Sequence, residues 1–292
     1  MLTAKQKIKY FIDSFLATGQ KPECPFCKNH DLKELDRKYL VTRLMECQTC
    51  HLYFRYPVDR KEENFEFYQK EYVEQDQIAT VLPDEHALND MIATNFSNTS
   101  KNGDRFLNLF ARLFPAEKSL RIVDYGCSWG YLAYQFAKAG HEVQGYEISR
   151  SRALYGINWL NLQISTDENA LTGNNQIFFS SHVIEHHPDI AAMVKLAEKL
   201  LAPGGYFIAV SPNGSAAFRQ KNPAAFHQAW GKVHPNYLNG DFYKYLFRDW
   251  SFYIGSSPFN MGNIHPLQKG DSRVDDLSGE ELLVIAKFGE SV

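Results

Sequence analysis

The sequence predicts an α/β fold with a mostly parallel sheet, preceded by a small cysteine-rich module. From about Leu120, short apolar segments alternate with helical ones, which is typical of a parallel sheet covered by helices on both faces. Upstream of this region, four cysteines stand in two closely spaced pairs. The chain has 292 residues, enough for one large domain or about two ordinary ones.

Composition narrows the class of protein. The chain is 44% hydrophobic and 22% charged, as in globular enzymes, with a net charge of −3. This near-balance argues against nucleic acid as the main partner, because phosphate binding normally requires a basic excess. No apolar run approaches the roughly 18–20 residues of a membrane-spanning helix. Lys5, Lys7, Lys9 and Asp13 interrupt the N-terminus, so we expect no signal peptide and a cytoplasmic location.

The cysteine pairs predict a metal site. Cys24 and Cys27 form the first Cys-x-x-Cys motif, and Cys47 and Cys50 form the second after an interval of nineteen residues. Each motif presents two thiolates to one ion, which is the arrangement of a tetrahedral Zn²⁺ site. Four thiolates leave no open coordination position, so the predicted zinc is structural.

Strand-like segments around these motifs complete the layout of a zinc ribbon. Tyr39–Leu44 and Leu52–Phe54 are predicted as strands of a small hairpin. Two redox motifs or two disulfides are the alternatives, but neither pair opens a helix beside a βαβ unit and nothing indicates an oxidising compartment. His51 follows Cys50, and we expect it to be a surface residue rather than a ligand.

The chain divides into three predicted regions. Residues 1–60 hold an N-terminal helix and the ribbon, 61–117 form a helical and linker region, and 118–292 form the α/β domain. The predicted N-terminal helix rests on apolar residues at helical spacing: Ile8, Phe11, Ile12, Phe15 and Leu16. An aromatic stretch at 64–72 is followed by a polar linker, predicted to be exposed and mobile, that runs through Asn102. Asp104 is predicted to cap the next helix.

The start of the α/β domain carries a ligand-binding pattern. The strand Arg121–Gly126 is followed by a loop to Gly130 and by a helix over Tyr131–Lys138. The two glycines let the chain turn sharply and let a ligand approach the backbone. The next strand ends in Glu147, seventeen residues after Gly130. A carboxylate at this position can accept hydrogen bonds from both hydroxyls of a ribose, so the pattern predicts a nucleoside-binding edge.

Residues 121–212 resemble the class I S-adenosylmethionine (SAM)-dependent methyltransferases. Residues 122–130 match that family's first cofactor-binding motif, and Glu147 matches its ribose-binding acid. Residues 178–189 resemble the end of its fourth strand, where Glu-His is frequent, and 201–213 resemble the turn into its fifth strand. The resemblance implies a Rossmann-like, seven-stranded α/β sheet whose last two strands, at Trp250–Ile254 and Leu282–Phe288, are antiparallel. The stretch between these strands, Gly255–Gly279, is predicted to be a surface loop.

The same resemblance implies which residues bind SAM. The expected pocket residues are Tyr125, Gly126, Gly130, Glu147 and Ile148. Asp167 is the candidate for the adenine amino group, with Glu168 or Asn169 as alternatives, and His182 is expected near the methionine part.

A zinc ribbon followed by an aromatic stretch resembles the N-terminal part of bacterial methyltransferases that act on sugars, polysaccharide precursors and antibiotic intermediates. Within that group, sugar C-methyltransferases carry a Tyr-x-Glu-His segment. Here the Tyr and Glu positions are Gly231 and Val233, followed by His234. Because the group's general-base tyrosine is absent, O- or N-methylation of a sugar or glycan-like small molecule is favoured over C-methylation.

An alcohol acceptor must lose a proton, and histidine suits that role because its pKa lies near neutrality. His234 ranks first because it lies in the segment 213–250, which is expected to cover the acceptor, with Tyr237 close by. His186 is the second candidate, while His182, His187 and His227 remain open. The alternative interpretation is that His186 and His187 cap or pack the helix that begins near Pro188, and that His227 is a surface residue.

Three hypotheses therefore follow from the sequence. The first is a small-molecule methyltransferase with a structural zinc. The second is an RNA methyltransferase that uses its ribbon to bind RNA, which the balanced charge disfavours. The third is a SAM-binding adaptor without turnover, which Gly126, Gly130 and Glu147 argue against. Nothing in the sequence predicts the oligomeric state.

Overall fold

The computed structural model describes residues 21–58 and 81–289. In these ranges twelve strands form: β1 Leu32–Lys38, β2 Thr42–Cys47, β3 Tyr53–Tyr56, β4 Arg121–Tyr125, β5 Glu142–Tyr146, β6 Ile164–Ser165, β7 Asn175–Ser181, β8 Leu201–Pro212, β9 Asn236–Tyr237, β10 Ser251–Ser256, β11 Ser272–Val274 and β12 Glu281–Lys287. The α-helices there are α1 Glu85–Ala93, α2 Asp104–Leu113, α3 Tyr131–Lys138, α4 Arg150–Leu160, α5 Ile190–Leu200, α6 Ala216–Lys221, α7 Pro223–Ala229 and α8 Gly240–Leu246. The predicted N-terminal helix and the aromatic stretch at 64–72 lie outside the described residues.

The larger sheet confirms the predicted α/β class. Its strand order is β11-β10-β12-β8-β7-β4-β5-β6, and the five strands from β8 to β6 run parallel. Strand β12 is antiparallel to both β8 and β10, as predicted for the last two strands. Because the carboxyl ends of the parallel strands share one edge, the loops that follow β4, β5, β6 and β7 lie together there.

Strand β11 adds an eighth strand to the predicted seven. It pairs in parallel with β10 and lies inside the stretch predicted to be a surface loop. Within the same stretch, Ile264 and Leu267 are only 2% and 1% exposed and join the core. The loop prediction is therefore wrong for these residues, because a few apolar side chains among many polar ones were enough to fasten the segment to the sheet.

The segment before α2 also differs from its prediction. Residues 85–93 form helix α1, whose first turn is capped by Asp84 through its hydrogen bond with the amide of Ala87. Phe96 is fully buried and its ring packs against Trp129. The prediction of an exposed polar linker is wrong here. Helix α2 begins at Asp104, but its N-cap residue is Gly103.

The second sheet has four strands in the order β1-β2-β3-β9 and contains the cysteine pairs. The predicted strand at Tyr39–Leu44 begins only at Thr42, since Tyr39 and Leu40 adopt left-handed backbone angles in the turn that precedes it. Strand β9 comes from the segment between β8 and β10 and pairs antiparallel with β3. This pairing attaches the ribbon to the α/β domain.

An aromatic cluster fills the core on one face of the large sheet. Phe110 is fully buried, and its ring centroid lies 5.0 Å from that of Phe136 and 5.7 Å from that of Phe179. Edge-to-face contacts of this kind add to the burial of apolar area. Within the described ranges, no helix is long and apolar enough to span a membrane.

The core packing predicts the effect of truncating Phe110. Phe110→Ala should lower the free energy of unfolding by about 3–5 kcal/mol, because the lost ring leaves a cavity that its neighbours cannot fill. Leu40→Ala is the matched control, since Leu40 is 81% exposed and should change stability by less than about 0.5 kcal/mol. Urea unfolding followed by circular dichroism measures both. Equal losses for the two variants would contradict the described packing.

Candidate functional site

The four paired cysteines converge on one point. The Sγ atoms of Cys24 and Cys50 lie 3.5 Å apart, and those of Cys27 and Cys47 lie 3.4 Å apart. All four sulfurs lie within 4.8 Å of one another and all four thiols are free. This donor set fits a tetrahedral Zn²⁺ ion without an open position for a reacting water. His51 is not in the cluster, in agreement with the expectation that it is no ligand.

The loop after β4 has the tight turns predicted from its glycines. Gly126 and Gly130 have φ angles of +76° and +84°, which other residues rarely adopt. A Cβ on Gly126 would lie 2.3 Å from Cγ2 of Val183, so the loop packs directly against the segment that follows β7. Burial raises the pKa of the preceding Asp124 to about 7.

Glu147 lies at the end of β5 and faces this loop. Its Oε2 accepts a hydrogen bond of 2.8 Å from the amide of Ser128, and its Oε1 accepts one of 2.7 Å from the amide of Ser149. Burial raises the pKa of Glu147 against the lowering effect of these amides and of Arg152. A carboxylate has about four acceptor positions, so two remain for the hydroxyls of a ribose.

An open cleft of about 700 Å³ adjoins Glu147 on the β5–β6 side. Its lining includes Tyr146, Ile148, Asp167, Glu168 and Asn169. Asp167, the predicted adenine contact, accepts hydrogen bonds from the amide and the side chain of Asn169. Among the predicted cofactor residues, Ile148 and Asp167 therefore lie in this cleft together.

Tyr125 is less accessible than predicted, since it is only 2% exposed. Its ring stacks on Tyr146 at 4.8 Å between centroids, and its hydroxyl contacts Glu168 and His187. Burial, together with the neighbouring Glu168, raises the pKa of Tyr125. Tyr125 therefore packs against two residues that line the cleft, Tyr146 and Glu168, without lining it itself. Glu168 and His187 are distant in sequence, so no local pattern indicated this contact.

His182 is held by residues from distant parts of the chain. Its Nε2 lies 2.8 Å from Oε1 of Glu281, whose Oε2 accepts from Arg105 at 2.8 Å. Burial disfavours the charged imidazole, but the nearby carboxylate of Glu185 and the hydrogen bond with Glu281 outweigh it and raise the pKa of His182 to about 10. Sequence reasoning missed Arg105 and Glu281, because both are far from His182 in the sequence and neither shares a motif with it.

Three side chains form a polar cluster that begins in the segment after β7. One donor atom from each of Glu185, His186 and His234 lies within 4.8 Å of the other two. The rings of His186 and His234 have centroids 4.9 Å apart. Burial lowers the pKa of His186 to about 4, although Glu185 opposes this. The structure therefore brings together the two histidines that ranked first and second as predicted catalytic residues.

The other catalytic candidates occupy different surroundings. Tyr237 is fully buried and packs on Phe226 at 4.9 Å between centroids, and among the described residues no hydrogen bond reaches its hydroxyl. Its catalytic role stays a prediction that no contact supports. His187 accepts a hydrogen bond from the amide of Asp189 at the start of α5, as the capping interpretation expects. His227 is half-exposed and pairs with Asp36 of the ribbon.

The ribbon holds the segment that carries His234. The amide of Arg55 donates to the carbonyl of Pro235 at 2.7 Å, next to the β3–β9 pairing. The side chain of Asn236 donates to the carbonyl of His187, and that of Asn239 donates to the carbonyl of His51. The ribbon, β9 and the loop after β7 are therefore connected by hydrogen bonds.

Comparison with known proteins identifies the domain. A family model described as "Methyltransferase domain" matches residues 99–254, more than half of the chain. The chain belongs to this methyltransferase family. The match includes the loop after β4, Glu147 and the Glu185–His186–His234 cluster. The predicted class I SAM-dependent methyltransferase fold is confirmed.

Individual relatives cover a smaller part. The methyltransferase is 31% identical over 107 residues to a ubiquinone biosynthesis O-methyltransferase of Hydrogenovibrio crunogenus, covering 33% of this chain and 44% of that protein. It is 28% identical over 108 residues to the enzyme of that name from Ralstonia nicotianae, covering 33% and 45%. The chain thus spans less than half the length of the curated relatives it matches.

A solved structure supports the fold. The plantazolicin methyltransferase BpumL, crystallised with a monoazolic desmethylPZN analog and SAH, superposes with a TM-score of 0.50 at 13% identity. The superposition covers 77% of this methyltransferase and 95% of that chain. At this identity the likeness concerns the fold alone.

The cofactor edge predicts the effect of neutralising Glu147. Glu147→Gln replaces one acceptor oxygen by an amide that faces backbone N–H donors, so we expect SAM affinity to fall at least about ten-fold, the equivalent of one charged hydrogen bond. Glu142→Gln is the matched control, because Glu142 is exposed on the same strand. Isothermal titration with SAM measures both. If Glu147→Gln bound SAM with unchanged affinity, Glu147 would not be a SAM-binding residue.

The cysteine cluster predicts the zinc content of variants. Native mass spectrometry should find one zinc in the wild-type chain and none in Cys47→Ser, because a three-thiolate site binds the ion less tightly. Cys127→Ser is the control, since Cys127 is buried in the loop after β4 and outside the cluster, and it should retain the zinc. Loss of zinc from Cys127→Ser would contradict the assigned ligands.

Proposed function

We propose that this protein transfers the methyl group of SAM to a hydroxyl oxygen of a small-molecule acceptor. The observation that carries the proposal is the contact between the predicted cofactor loop and the acceptor side. Val183 lies against Gly126, and the polar cluster of Glu185, His186 and His234 begins two residues later. The two curated relatives, which are named O-methyltransferases, support oxygen as the methylated atom.

The residues of the cofactor edge fit SAM. Glu147 would hold the ribose hydroxyls, and Ile148 and Asp167 would contact the adenine in the open cleft. When bound, SAM supplies an electrophilic methyl group on a sulfonium. The protein then has to orient the acceptor oxygen in line with that methyl group and keep water away. Because the methyl group passes directly from SAM to the acceptor oxygen, the reaction requires no covalent intermediate with the protein.

We also propose an acceptor class, on the basis of the ribbon and the segment 213–250. We propose that the ribbon and the segment 213–250 together cover a sugar or glycan-like acceptor. The hydrogen bonds of Asn236 and Asn239 to the loop after β7 and to the ribbon support a cover built from both parts. At positions 231 and 233, Gly and Val offer no acidic or phenolic group, which favours O- or N-methylation over C-methylation.

Methyl transfer itself tests the proposal. The protein, with SAM labelled in its methyl group, is incubated separately with a pool of nucleotide sugars, a pool of phenols and catechols, and a short RNA. We expect label in one small-molecule pool and none in the RNA. Glu147→Gln should abolish the transfer, and Glu142→Gln should retain it. Label in the RNA alone would overturn the small-molecule assignment, and label in the phenol pool alone would overturn the sugar assignment.

A further inference from the structure

The carboxylate of Glu185 lacks a hydrogen-bond donor. It is fully buried at the end of the segment after β7, and within residues 21–58 and 81–289 neither of its oxygens has a hydrogen-bond partner. His182, whose Nδ1 lies 3.6 Å from Oε1 of Glu185, forms an ion pair with it beyond hydrogen-bond distance and shares its charge with Glu281. Burying a carboxylate without a hydrogen bond is costly, so a further positive charge beside Glu185 would stabilise it.

The two histidines beside Glu185 each contact a backbone carbonyl through Nδ1. Nδ1 of His186 contacts the carbonyl of Val233, and Nδ1 of His234 contacts the carbonyl of Ala229. A carbonyl only accepts, so Nδ1 carries the proton in each ring and Nε2 of the neutral ring keeps a lone pair. Nε2 of His186 lies 3.7 Å from Oε1 of Glu185. This acceptor atom of His186 therefore lies beside the carboxylate.

This tautomer is the one that binds metals. Histidine ligands in proteins normally donate their other ring N–H to a backbone carbonyl or a carboxylate, which fixes the ring orientation. Both histidines already have that second contact. At metal–ligand distances of about 2.1 Å, two donors around one ion lie up to about 4.2 Å apart. The donor atoms of the three residues lie at most 4.8 Å apart. Small side-chain movements would therefore bring them to the distances required around one ion.

We propose that Glu185, His186 and His234 bind a divalent transition-metal ion, separate from the zinc of the ribbon. Two imidazoles and one carboxylate are a donor set for such ions that leaves coordination positions open. A closed four-thiolate site has no such positions, so only the Glu185 cluster has room for a further ligand.

The open positions suggest what the metal does, and this step rests on the proposed methyl transfer to a hydroxyl. The acceptor hydroxyl binds the ion, which lowers its pKa, and its proton passes to water. The acceptor oxygen then attacks the methyl carbon of SAM. The C–S bond breaks and its electron pair stays on sulfur, so the products are the methyl ether and S-adenosylhomocysteine. His186 and His234 would act as ligands in this scheme, rather than as the general bases predicted from the sequence.

Manganese distinguishes this site from the ribbon. Mn²⁺ prefers oxygen and imidazole ligands, and thiolates select zinc. Protein that already holds one zinc per chain is titrated with Mn²⁺ while electron paramagnetic resonance records the free ion. We expect the wild-type chain to take up one Mn²⁺. Glu185→Gln and His234→Gln should each weaken this binding at least about ten-fold, since even outer contacts of a metal site are worth that much.

Controls make each outcome decisive. His86→Gln removes an exposed histidine far from the cluster and should bind Mn²⁺ like the wild type. Each variant is also titrated with SAM, which shows whether it is folded and still binds the cofactor, independently of Mn²⁺. A failure of the proposed methyl transfer is thereby distinguishable from a failure of the metal site. The proposal is overturned if wild-type protein that binds SAM takes up no Mn²⁺, or if Glu185→Gln and His234→Gln bind it as tightly as His86→Gln.

Discussion

The pairing of β3 with β9 is the interaction on which the acceptor side depends. Two short strands from opposite parts of the chain meet at Tyr53–Tyr237 and Phe54–Asn236, and Arg55 donates to Pro235 beside them. This pairing fixes the segment that carries His234 directly to the ribbon, in the long connection between β8 and β10. Because the ribbon is held together by the cysteine cluster, we infer that its zinc stabilises the site at a distance, without touching the acceptor.

The cofactor edge and the acceptor side are coupled by close packing rather than by charge. The missing Cβ of Gly126 lets Val183 lie against the loop after β4. A larger residue at position 126 would push the segment after β7 away and move Glu185 with it. The same loop also contacts Glu147, which is held by the backbone amides of Ser128 and Ser149. The loop is thus linked to the carboxylate proposed to bind the cofactor and, through Val183, to the segment that carries Glu185.

Predictions from the sequence were most accurate where local physics decides the structure. Helix α3 was predicted with its observed ends, because Gly130 starts it in a left-handed conformation and its apolar residues recur at helical spacing. Accuracy fell where a few apolar residues stand in polar surroundings. Phe96 and Leu267 belong to segments predicted as exposed, yet both are buried, since the hydrophobic gain of one large side chain can order a segment that composition marks as a loop.

The sequence by itself predicted the two cysteine pairs as one cluster, the α/β class of the larger domain and the edge proposed to bind a nucleoside. The motifs behind these predictions consist of residues a few positions apart, whose spacing is set by a turn, a strand or a helix. Only the tertiary structure decided which distant residues meet. Glu185 and His234 are separated by three helices and a strand, and Arg105, His182 and Glu281 come from three parts of the chain. Such contacts arise from how the sheets and helices pack, and no periodicity in the sequence encodes them.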